Sequence, residues 1–171
     1  RVIATDFSRE SVDKVNELYQ GLINYLGAYY INDLLAKGQK YEVIIALEVL
    51  EHLNDFYLED MLRNIKLLLS ANGIAIFTTP NNENLEKSFV CCPECKKIFH
   101  RWQHIRSWNT ETLQKCMERN GLEVMSIFTT KFSNEAKWKR FLKKAKSILG
   151  KAIGKNNESS KPHLVCIVRK L

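Results

Sequence analysis

Two glutamates and a histidine stand within five positions of one another, Glu48, Glu51 and His52, directly after the apolar run Val43-Ile44-Ile45-Ala46-Leu47. Their spacing is i, i+3 and i+4, which one turn of helix would place on a single side. Two carboxylates, an imidazole and open positions suit a hard divalent cation, Mg²⁺ or Mn²⁺, with room for substrate oxygens. Such an ion lowers the pKa of a hydroxyl bound to it. His52 and Glu51 are therefore candidate catalytic residues, with Glu48, Glu51 and His52 as the candidate Mg²⁺ or Mn²⁺ ligands.

A second set of ligand types lies in "VCCPECKKIFHRWQH", where Cys92, Cys95, His100 and His104 are spaced C-x2-C-x4-H-x3-H. Four N/S ligands are what a structural Zn²⁺ needs, although the Cys-to-His interval is shorter than in an ordinary zinc finger. Cys91 is an alternative fourth ligand. His104 cannot serve both metal proposals, so the zinc reading rests on Cys92, Cys95 and His100 with the fourth group open. The competing reading is a reduced, partly buried loop. Phe99, Trp102 and Trp108 are either substrate walls or aromatic core.

These residues need elements to position them. Val2 to Thr5 reads as a strand closed by Asp6, and Ser8 caps a helix carrying Val12, Val15, Leu18 and Leu22. Ala28 to Ile31 is a second strand ending at Asn32-Asp33, and Tyr41 to Leu47 a third. Asp55 caps a helix that runs to Asn72-Gly73, followed by a strand over 74–78 that Pro80 ends. Thr110 caps a helix ending at Asn120-Gly121, and strands over 122–129 and 164–169 close the order. Alternating strands and helices predict an α/β fold with a mainly parallel sheet. Ligands bind such sheets at the carboxyl ends of the strands, where Asp6, Asp33, Glu48 and Thr79 stand.

With 171 residues, 45% hydrophobic and 26% charged, the chain has the length and composition of one soluble domain. No apolar run reaches the ~20 residues that span a bilayer. Five cysteines without a regular framework predict a reduced, cytoplasmic protein. The net charge of +7 is local: residues 131–155 carry nine Lys/Arg against Glu135 alone. Over 133–156 the pattern is a basic amphipathic helix, with Trp138, Phe141, Leu142 and Ile148 on one face and lysines opposite. Three readings are open: packing on the sheet with a solvated basic face, peripheral contact with the anionic inner face of a membrane, or contact with RNA phosphates. No recognisable RNA-binding module supports the last, so nucleic acid is not the expected partner. Residues 88–108 read as a Cys/His-rich insertion or lid within a single domain over 1–171.

"VIATDFS", "YINDLL", "YEVIIALEVLEHL", "LLLSANGIAIFTTPN" and "HIRSWNTETLQKCMERNGLEV" together resemble successive blocks of the class I S-adenosylmethionine-dependent methyltransferases. The resemblance covers about residues 1–130 and the final strand. It implies a Rossmann-like sheet, mainly parallel with an antiparallel last strand, and S-adenosyl-L-methionine as cofactor. Asp6 then resembles the acid that holds the ribose hydroxyls, and Phe7 packs on the adenine. Asp33, with the Leu34 backbone, takes the adenine amino group, while Leu47 and Glu48 flank the methionine portion. "EVLEH" resembles a subset that includes ubiquinone-biosynthesis O-methyltransferases and small-RNA 2′-O-methyltransferases, in which E-x-x-E-H binds a divalent cation; the RNA group adds a histidine after the next strand, and the resemblance implies His104 of "QHIRSW" as a third candidate catalytic residue. "LEHL" also recurs in members without a metal, so that reading stays open. The family's N-terminal strand and glycine-rich loop have no counterpart here, and the chain reads as a truncated form with two exposed apolar strand edges. The implied activity is methyl transfer, chiefly to an oxygen of a small-molecule or lipid-linked acceptor. The other reading is a degenerate, non-enzymatic zinc-containing module that binds a membrane or a partner.

Overall fold

The computed structural model describes residues 1–132 and 161–171, and these form two compact units, 1–41 and 42–171. The basic helix expected over 133–156 lies outside the described residues. No helix among the described residues is long and apolar enough to cross a membrane.

In the first unit, β1 (Val2–Asp6) and β2 (Tyr25–Tyr30) pair in parallel, joined by α1 (Arg9–Tyr19) and followed by α2 (Ile31–Ala36). Ser8 caps α1 as expected, its side chain accepting from the Ser11 N–H at 3.3 Å. The second strand begins at Tyr25, not Ala28, because Val2 already pairs with Tyr25. Asn32 and Asp33 do not end that strand. They lie in the first turn of α2, where Asp33 complements the positive helix end. A side chain ties α1 to β2: Asn16 donates to the Ala28 carbonyl at 3.0 Å and accepts from the Ala28 N–H at 2.7 Å and the Tyr25 hydroxyl at 2.8 Å.

The second unit holds β3 (Tyr41–Leu47), a 3₁₀ turn (Leu50–His52), α3 (Asp55–Leu68) and β4 (Leu69–Pro80). A 3₁₀ turn over Leu85–Ser88 leads to the hairpin of β5 (Phe89–Cys91) and β6 (Ile98–His100). Then come α4 (Thr110–Arg119), β7 (Leu122–Thr130) and β8 (His163–Lys170). The sheet order is β3-β4-β8-β7, and β8 runs antiparallel to both neighbours, so β4 and β7 share one direction. The antiparallel last strand is the one the sequence resemblance implied.

Alternation along β4 builds the core. Ala75 and Phe77 face a large cluster with Leu50, Leu58, Leu62, Leu113 and Met117, while Ile74 and Ile76 face a smaller one with Val165 and Ile167. Three boundaries differ from expectation. The α3 cap is Asn54, whose side chain accepts from the Tyr57 N–H at 3.0 Å, and the α4 cap is Asn109, locked in a reciprocal capping box with Thr112. The α3 helix stops at Leu68 rather than at Asn72-Gly73. Leu69 is fully buried and its carbonyl accepts from Lys170 Nζ at 3.0 Å, so the chain turns into β4 four residues early and Gly73 lies within the strand. Gly121, by contrast, takes the φ of 70° that ends α4.

Among the described residues β1 pairs only with β2 and β3 only with β4. The expected apolar edges follow: Val2 is 60% exposed, and Val43, Ile45 and Leu47 are 41–48% exposed. Replacing Asn16 by Ala strands both backbone groups of Ala28. Urea denaturation followed by tyrosine fluorescence should show a loss of about 1–3 kcal/mol, the cost of unpaired buried polar groups.

A candidate Glu/His site at the carboxyl end of β3

The chain leaves β3 through Glu48, whose φ of 52° is the left-handed conformation a non-glycine residue adopts at a cost. Its N–H holds the turn by donating to the Thr78 carbonyl at 2.9 Å and the Thr78 hydroxyl at 3.2 Å. Leu50–His52 then forms a single 3₁₀ turn rather than a full helical turn. For that reason the expected trio does not assemble. Glu51 and His52 stay together, but Glu48 faces His163 at 3.8 Å and takes no part in the three-ligand set.

His104 replaces it. The ligand atoms of Glu51, His52 and His104 all lie within 4.8 Å of one another. The His52 and His104 rings meet edge to face at 4.7 Å. What brings His104 there is a backbone bond, Ile105 N–H to the Glu51 carbonyl at 2.9 Å. Glu51 is only 1% exposed; its Oε2 accepts from the buried Thr79 hydroxyl at 3.0 Å, while its Oε1 has no hydrogen-bond partner. Burial raises the Glu51 carboxyl above its ordinary value near 4.5, opposed by its own backbone N–H and the Thr79 hydroxyl; nearby Glu48 adds to the rise and His52 subtracts. A buried carboxylate oxygen lacking a proton donor, beside two imidazoles, fits a cation.

The zinc expectation is corrected. Cys92 and Cys95 sit together at the tip of the β5–β6 hairpin, where Lys96 has a φ of 60° and its N–H donates to the Cys92 carbonyl at 3.0 Å. The Cys95 and Glu94 backbone and the Cys95 thiol pull the Cys92 thiol below its ordinary value. His100, however, pairs across the hairpin with Phe89, two positions beyond the Cys91–Ile98 pair. That offset is about 7 Å of strand. His100 and His104 instead meet Glu83, and among the described residues no cysteine joins a set of three ligands. Trp108 is 5% exposed and belongs to the core, whereas Phe99 and Trp102 are exposed.

Glu83 and His163 escaped the sequence reading. Glu83 lies three residues past β4, and the strand-end rule that selected Thr79 would have found it. A depression of about 330 Å³ lined by Leu58, Arg106, Trp108 and Arg119 contains none of these Glu/His residues.

The cofactor candidates of the first unit stand at its strand ends. Asp6 Oδ1 accepts from the Ser8 N–H at 2.8 Å, which leaves the carboxylate at the β1–α1 turn, and the adjacent Phe7 is 71% exposed. Asp33 is paired with Arg9 at 3.1 Å and Leu34 is buried. Asp33, Arg9, Tyr29 and Tyr30 line a cavity of about 230 Å³ that Asp6 and Phe7 do not enter. In the second unit, Leu47 is 41% exposed at the end of β3.

The family described as "Methyltransferase domain" matches residues 1–127, and the chain belongs to it. Its fold is that of Rossmann-like methyltransferases. The structure titled "DhpI-SAH complex structure" is similar at 14% identity and a TM-score of 0.58, covering 99% of this chain and 66% of that one. A methyltransferase from Clostridium acetobutylicum ATCC 824, titled S-adenosylmethionine-dependent, matches at 16% identity and a TM-score of 0.58, over 98% of this chain and 74% of that one. A TehB-like enzyme from Corynebacterium glutamicum ATCC 13032 gives 18% identity and a TM-score of 0.56, over 99% and 68%. No curated protein matches the sequence.

The raised value of Glu51 fixes a sign. Its protonated form favours folding below pH about 4.5, and that contribution is lost as pH rises through the raised folded value. Glu51→Gln, free of metal, should therefore unfold at a higher temperature than the unaltered chain at pH 7, by about 1 kcal/mol, and show no advantage at pH 4. Thermal scans at the two pH values check this.

Proposed function

We propose that the protein transfers a methyl group from S-adenosyl-L-methionine to an oxygen of a small-molecule or lipid-linked acceptor, with a divalent cation, Mg²⁺ or Mn²⁺, at Glu51, His52 and His104. The observation that carries this reading is the buried Glu51 oxygen without a donor beside two imidazoles, in a chain of the methyltransferase-domain family. Neighbouring structures titled as complexes with SAH and SAM support the cofactor.

When bound, S-adenosyl-L-methionine supplies an electrophilic methyl on a sulfonium that leaves as a neutral thioether. The chain's own work is binding, orientation and proton handling. Asp6 offers an ionised carboxylate oxygen suited to ribose hydroxyls, since charge-assisted bonds are about twice as strong as neutral ones. Phe7 offers an exposed ring face to a base. Asp33 accepts from an amino group only by sharing or yielding its exposed Arg9 partner. In the second unit, Leu47 borders the methionine portion, and Glu48 is held in a fixed backbone geometry by Thr78. Holding the cation, the Glu51–His52–His104 set would orient the acceptor's oxygen, and the hydroxyl proton would leave to solvent. A cation there supplies Lewis acidity that favours hydroxyl ionisation. Membrane contact and a lipid-linked acceptor rest on the basic sequence over 133–156, outside the described residues.

Calorimetric titration with S-adenosylhomocysteine tests the cofactor half, because the product binds without turnover. Asp6→Ala should weaken it about tenfold or more, the loss expected for a charge-assisted bond. For the metal half, methyl transfer to hydroxyl acceptors should rise with Mn²⁺ and fall with chelator, and Glu51→Ala should remove that dependence. Unchanged transfer in the Glu51 variant, still metal-stimulated, would refute the cation site.

A further inference from the structure

Two ligand sets share His104: Glu51 and His52 on one side, Glu83 and His100 on the other. Proton bookkeeping decides between them. His100 Nδ1 accepts from two backbone N–H groups, those of Trp102 at 3.3 Å and His104 at 3.1 Å. A backbone amide only donates, so Nδ1 carries a lone pair and the ring's single proton sits on Nε2. That Nε2 is buried, has no hydrogen-bond partner, and lies 3.6 Å from Glu83 Oε1. A nitrogen bearing a proton cannot ligate a metal.

The other carboxylate oxygen of Glu83, Oε2, lies 2.5 Å from His104 Nδ1. The carboxylate thus faces an N–H from each of two rings, which stack at 4.7 Å with 21° between their planes. With its proton held on Nδ1 by Glu83, His104 keeps its lone pair on Nε2, the nitrogen left for Glu51 and His52.

We propose that Glu83 is a positioning residue that locks His104 in the Nδ1–H tautomer, so that His104 Nε2 is the lone-pair donor of the site. The His100 side is then a support and not a second metal centre. This deepens the methyl-transfer reading of the same site and rests on that reading for its functional meaning. A carboxylate on the far nitrogen fixes the ring's orientation and its tautomer.

The test is long-range ¹H–¹⁵N NMR of the imidazoles in the full chain, combined with Mn²⁺ titration. The unaltered protein should show His104 as Nδ1–H and His100 as Nε2–H. Glu83→Gln, folded by its amide spectrum, should shift His104 toward the Nε2–H form and weaken Mn²⁺ about ten- to a hundredfold, as loss of such a support does. His104 found as Nε2–H in the unaltered chain would overturn the proposal without needing any variant. So would Mn²⁺ binding that is lost in His100→Gln but kept in Glu51→Gln, which would place the ion on the Glu83 side. Neither readout involves methyl transfer. A chain with the expected tautomers that transfers no methyl group would overturn only the activity.

Discussion

A desolvated carboxylate organises the second unit. Glu51 sits at 1% exposure, with one oxygen satisfied by Thr79 and the other facing two histidines. Burying such a group is unfavourable unless it is compensated. Its neighbours read as partial compensation: a threonine hydroxyl on β4, its own backbone N–H, and the His52 and His104 rings, while its backbone carbonyl accepts from the Ile105 N–H. The same bond that fixes Ile105 carries His104 inward, and from there Glu83 and His100. A loop that lies more than fifty residues beyond Glu51 in sequence is thus tied back to it by one amide.

Strand and helix identities could be read from the residues because they depend on local period and short-range chemistry. Tyr41–Leu47 and the alternating Ile74–Phe77 declare themselves by side-chain type. Caps were harder, since Asn54 and Asp55, or Asn109 and Thr110, are neighbours of equal capping ability, and only backbone geometry chooses between them. The end of α3 depended on Lys170, about a hundred residues away, which no local rule contains. The site was legible in its members but not in its grouping. Glu51, His52 and His104 were all candidates, yet the helical spacing argument failed where the backbone turned left-handed at Glu48.

The cysteine hairpin shows the same limit of spacing arguments. C-x2-C-x4-H-x3-H names ligand types, but a strand fixes which way each side chain points. In β6, Ile98 and Phe99 are exposed while His100 is buried. Ile98 and His100 share a face of β6, so it is the contacts at the strand's end, with the Trp102 and His104 backbone and beside Glu83, that bury His100, and the thiols stay at the turn. One motif is thereby divided between an outward dithiol tip and an inward imidazole that serves the glutamate cluster.

Thr130 pairs with His163 at the point where β7 gives way to β8, and Asn81 fastens the returning chain by donating twice, to the carbonyls of Lys161 and Pro162. His163 also contacts Phe132 and faces Glu48. The β7–β8 ladder therefore holds the two strands together whatever the length of chain between them. Since loop closure costs only about 0.6 kcal/mol more for each doubling of length, this junction can exchange one inserted segment for another with little effect on the fold. Because His163 faces Glu48, such an exchange would alter the surroundings of that carboxylate while Glu51 and its partners stay as they are.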